Sequence, residues 1–134
     1  MPWLHILYAF LASAVIASFA DWYFFGVLFH DRYGKTPAIW RRYREKRDEV
    51  RSIMLAQAIM SISQLAFVMV CAYLGLRTTD SCLLAALILW IMIPVPLLAT
   101  NAIFIPMDRL IVVSHSLGWL VRLLITGLCV SWLL

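Results

Sequence analysis

Five strongly polar residues stand inside otherwise apolar runs of this 134-residue chain: Asp21, Gln57, Asn101, His115 and Arg122. A carboxylate and a guanidinium can neutralise each other or anchor an oppositely charged ligand group. An imidazole can share that carboxylate or titrate with it, and amides orient whatever binds. His115 precedes Arg122 by seven residues, two helical turns, so both lie on one face. Gln57, Ser61 and Gln64 fall at i, i+4 and i+7 and form one polar stripe. Ser18, Thr100 and Ser114 add hydroxyls nearby. An unpaired charge in hydrocarbon costs from about 3 to over 10 kcal/mol, so Asp21 and Arg122 should face inward and converge. Two readings of that convergence stay open. It is glue, with each interhelical bond worth about 0.6–2 kcal/mol, or it is a ligand or proton site of the kind that intramembrane ionisable groups usually mark. Asp21 is the main candidate, and a third reading has it snorkel to the headgroups.

Other chemistries lack their residues. No HExxH, P-loop, GxGxxG or GxSxG motif is present. Cys71, Cys82 and Cys129 form no Cys-x-x-Cys pair and read as small buried apolar residues. Haem needs facing histidines at one depth, whereas His5 belongs to one side and His30 and His115 to different depths of the other. The expectation is no catalytic residue, no metal and no cofactor, with an enzyme ranked last among the functional readings.

The elements that must position the five residues follow from composition. Hydrophobic residues make up 64% of the chain and charged ones 13%, with mean hydropathy +0.91. Those values exclude a soluble enzyme, a secreted disulfide scaffold, a disordered chain and a nucleic-acid domain. Four segments are apolar and long enough to cross a bilayer, about 4–29, 52–76, 82–105 and 110–134. Short polar links suit an all-α four-helix bundle, up-down-up-down, filling one membrane domain over 1–134. The first span has no basic n-region and continues past Ser18 and Ala20, so it reads as retained rather than as a signal peptide. In the third, Pro94-Val95-Pro96 removes two backbone donors and predicts a kink, read mainly as shaping the packing. Ser114 with Gly118, and Gly127 with Ser131, are small-residue pairs permitting close helix approach.

Twelve of the eighteen charged residues fall between Asp31 and Arg51, in the one connection (30–51) with room for structure. Thr36-Pro37 suits a helix start, and Trp40, Tyr43 and Arg47 recur at helical spacing. A short amphipathic surface helix is expected, either separate or running into the second span. Its Arg41, Arg42, Arg44, Lys46 and Arg47 would lie against anionic headgroups rather than nucleic acid. Nine basic residues on that side against one, Arg77, on the other place both termini outside the cytoplasm.

The run Ala20-Asp21-Trp22-Tyr23-Phe24-Phe25-Gly26-Val27-Leu28-Phe29, leading into a turn with Gly34 and Lys35, resembles an uncharacterised family of small bacterial four-span inner-membrane proteins, a domain of unknown function. Asn101 late in the third span and His115 early in the fourth match the polar positions of that family. Asp21, Arg122 and the long basic connection depart from its pattern. The resemblance implies the bundle fold and a bacterial cytoplasmic membrane, and no activity.

The expected function is therefore a multi-pass membrane protein whose inner-leaflet polar pocket binds a lipid-like or amphipathic small molecule. Asp21 and Arg122 would be its charged anchors, with Gln57, Asn101 and His115 as orienting groups. The alternatives are an accessory subunit of a larger membrane complex and a small proton-coupled transporter acting as a homo-oligomer.

Overall fold

The structure, a computed structural model, describes residues 3–31 and 45–134. Every described element is helical: α1 Trp3–Tyr23, continued by a π-helical turn Phe24–Leu28, then α2 Lys46–Leu74, α3 Thr79–Met92, α4 Pro94–Phe104 and α5 Arg109–Leu133. Counting the π turn with α1, and α4 with α3, gives four helices long and apolar enough to span a membrane. Most of the expected surface helix, including Trp40, Arg41, Arg42, Tyr43 and Arg44, lies outside the described residues. Its last part does run into the second span: α2 begins at Lys46, and Lys46 and Arg47 are exposed.

Local chemistry sets the ends. Thr78 caps α3 by accepting from the Ser81 N–H at 3.3 Å, and Asp108 caps α5 by accepting from Leu110 at 2.8 Å. Asp48 and Glu49 occupy the first turn of α2, where the helix dipole favours acids. Gly75 closes α2 with φ of 70°, a left-handed conformation that glycine adopts without strain. The expected kink is the α3/α4 boundary at Ile93 (φ −120°, ψ −68°). There Pro94 cannot donate to the Trp90 carbonyl, nor Pro96 to that of Met92. The indole of Trp90 ties this break to α5 through a 2.8 Å bond to the Ser116 carbonyl.

Helix α5 is the hub. It packs on α1, α2, α3 and α4, while α2 otherwise packs on α1 and α3 on α4. Two glycines permit this closeness: a β-carbon on Gly127 would stand 3.1 Å from the Cys82 carbonyl oxygen, and one on Gly118 would stand 2.8 Å from Phe25 Cζ. Large apolar side chains elsewhere, such as Phe19, Tyr73, Ile103 and Phe104, point outward, as suits a hydrocarbon solvent. The three cysteines are buried and free, as expected of small apolar residues. Cys71 and Cys82 join Ile6, Ala9 and Val130 in an apolar core where α2 and α3 meet near their linking turn.

Candidate functional site

Layers of polar groups follow one another along the α1–α2–α5 interface. Asp21 enters it from the last turn of α1, Gln57 and Gln64 from two successive turns of α2, and Arg122 from the middle of α5. Arg122 is 1% exposed and Asp21 5%, yet neither is uncompensated. Arg122 Nη2 donates to Asp21 Oδ2 in a direct ion pair and to Gln57 Oε1 at 2.7 Å. Its Nη1 donates to Gln64 Oε1, also at 2.7 Å. Gln57 Nε2 closes the first ring by donating to Asp21 Oδ2 at 3.1 Å.

The second layer is built from Gln64, whose Nε2 donates to the Ser13 carbonyl at 3.2 Å and to Thr126 Oγ1 at 3.1 Å. Thr126 in turn donates to the Arg122 carbonyl at 2.8 Å. Ser61 turns back to the Gln57 carbonyl at 2.8 Å. The single hydroxyl hydrogen of Ser18 favours the Ala14 carbonyl at 2.8 Å over Gln57 Oε1 at 3.5 Å. Among the described residues no buried side-chain nitrogen or oxygen lacks a partner. The network therefore repays the desolvation of two charges with hydrogen bonds to each, the condition under which a buried pair holds.

Three of the five expected residues, Asp21, Gln57 and Arg122, thus meet. His115 lies two turns from Arg122 on the same helix, half-buried, with its ring centroid 5.0 Å from that of Phe25. Phe25 follows Asp21 by four residues and sits in the π-helical turn, which is closed by a Phe29 N–H to Phe24 carbonyl bond of 3.0 Å. Phe25 packs against Gly118, one turn before Arg122 on α5. Asn101 is elsewhere. It lies half-buried on α4, and no hydrogen bond of the network reaches it. Ser13 and Thr126 are network members that motif reasoning missed. Thr126 was legible as the residue four after Arg122, whereas Ser13 contributes only its carbonyl and left no signal.

A second feature lies beside the network, where α5 presents Trp119 and Leu123. Below the Cys71–Cys82 contact, α2 and α4 are not packed on one another, and a groove of about 320 Å³ opens between them with α5 as its floor. Ala66 and Phe67 line one wall, Pro94 and Leu97 the other, and Trp119 and Leu123 the floor. The α3/α4 break lies at its edge. No charged side chain lines it.

A sequence profile described as "Protein of unknown function (DUF1761)" matches residues 8–131, nearly the whole chain. The chain belongs to this family. The match covers all four spans, the ion pair and the groove together, so both features lie within the family's domain. No curated protein and no solved structure matches it.

Proposed function

We propose that this multi-pass membrane protein holds the apolar chain of a lipid-like amphipath in the groove between α2 and α4. The buried network would serve as the rigid wall behind it. The observation that carries the reading is the groove itself: an uncharged concavity of about 320 Å³, at the small end of ligand sites. A hydrocarbon chain suits a lining that is almost wholly apolar and carries no charge. Since lipid tails are as apolar as the lining, the hydrophobic effect supplies little. The drive is the dispersion energy that an unfilled void forfeits. The paired charges of Asp21 and Arg122 do not line the groove, so they would act on a ligand by keeping α1, α2 and α5 fixed.

Retention of lipid by the detergent-released protein, read by native mass spectrometry, tests this. Wild type should keep one chain-bearing lipid, and Ala66→Trp, whose indole projects into the groove, should lose most of it. Equal retention by a folded Ala66→Trp protein would sink the proposal.

A further inference from the structure

We infer that the groove reads the head of its ligand as well as its chain, through the Asn101 amide, and that the group read is a carbonyl at the head of an acyl chain. The inference rests on the groove reading above. Asn101 follows Leu97 by four residues and Leu98 by three, and both of those line the groove. It therefore lies on the same face of α4, about 5–6 Å further along. The direction is towards the end of the bundle that carries Lys46 and Arg109, since Phe104 closes α4 only three residues later. That depth, about 5 Å from the helix end, is where hydrocarbon gives way to headgroups and where the ester groups of a lipid reside.

Among the described residues no side chain or backbone group hydrogen-bonds the Asn101 side chain, while its backbone carbonyl accepts from the Ile105 N–H at 2.8 Å. Every fully buried side-chain polar atom is satisfied, so the Asn101 amide is reachable from outside. At that boundary an amide with free donors and acceptor can take a ligand oxygen as its partner. An amide NH2 donates to a carbonyl, and nothing lining the groove would favour a charged head over a neutral one. The fit is a chain running down from Asn101 past Leu97 towards Phe67, with its ester or acyl carbonyl against the amide.

The carbonyl has two sources, a bilayer phospholipid or a free single-chain ester, and paired probes separate them. The detergent-released protein is incubated with a diacyl phospholipid or its dialkyl ether counterpart, and in a second arm with a single-chain methyl ester or the matching alkyl ether. Occupancy is read by native mass spectrometry. Wild type should prefer the carbonyl-bearing member of at least one pair by about three- to tenfold, the range of one hydrogen bond. The pair showing the preference names the source. Asn101→Leu should bind both members equally, and Asn101→Gln should restore part of the preference. Equal binding of ester and ether by wild type, or a preference that survives in Asn101→Leu, overturns the head-group inference while leaving the groove in place. Retention unchanged in Ala66→Trp overturns the groove itself. Asn101 is half-exposed at a helix surface, so its variants should fold, and a thermal unfolding curve matching wild type checks this.

Discussion

Arg122 and Asp21 stand 101 residues apart in sequence and share one hydrogen bond in the bundle interior, with Gln57 bonded to both. That triangle joins α1, α2 and α5 at one level, and Gln64 repeats the connection one layer along through Ser13, Arg122 and Thr126. A charge pair enclosed this completely clamps the three helices together.

The clamp makes its members interdependent. Asp21→Ala leaves the guanidinium buried without its counter-charge and should destabilise the protein by about 3–5 kcal/mol. Asp21→Ala with Arg122→Leu should cost clearly less than the sum of the two single changes, because the double variant buries no charge. Thr126→Val, which removes the acceptor of the Gln64 amide and a donor to the Arg122 carbonyl, should cost about 0.6–2 kcal/mol. Reversible unfolding in mixed detergent measures all four variants, and strict additivity of Asp21→Ala and Arg122→Leu would show that the ion pair is not coupled.

The two glycines of α5 should respond differently to alanine. At Gly118 the obstacle is the Phe25 ring at 2.8 Å, a side chain that can be trimmed; at Gly127 it is the Cys82 backbone carbonyl at 3.1 Å. Gly118→Ala should therefore be destabilising in wild type and largely rescued by Phe25→Ala. Gly127→Ala should be destabilising and not rescued by Cys82→Ala. The same unfolding assay decides it, and rescue of both or neither would contradict these contacts.

Replacing Pro94 and Pro96 by alanine returns donors to the Trp90 and Met92 carbonyls. Relief of an interior proline is worth up to about 3 kcal/mol, so Pro94→Ala/Pro96→Ala should unfold at higher denaturant. Straightening the third span should at the same time change the width of the groove. Spin labels at 66 and 97 should show a displaced distance peak, and lipid retention should fall. Higher stability with unchanged distance and retention would separate the kink from the groove.

The sequence by itself determined that this chain is all-helical, has four segments long and apolar enough to span a membrane, and cannot leave Asp21 and Arg122 unpaired. Those conclusions follow from hydrophobic length and from the cost of charge in hydrocarbon, both of which are local to the residues concerned. The i, i+4, i+7 stripe on α2 likewise made Gln57 and Gln64 legible as partners, because helical periodicity alone puts them on one face.

Only the tertiary structure decided which neighbour each polar residue meets. Asn101 has the same chemistry as Gln57, yet it stands near the end of α4, which packs on α3 and α5 and not on the α1–α2 side where the network lies, and which helices adjoin is not encoded in local spacing. The groove was equally invisible, since a concavity is the absence of contact between α2 and α4 and depends on how both pack against α5. Depth along a helix can be counted from sequence, whereas azimuth between helices is set by packing, and the placement of this protein's candidate site depends on azimuth.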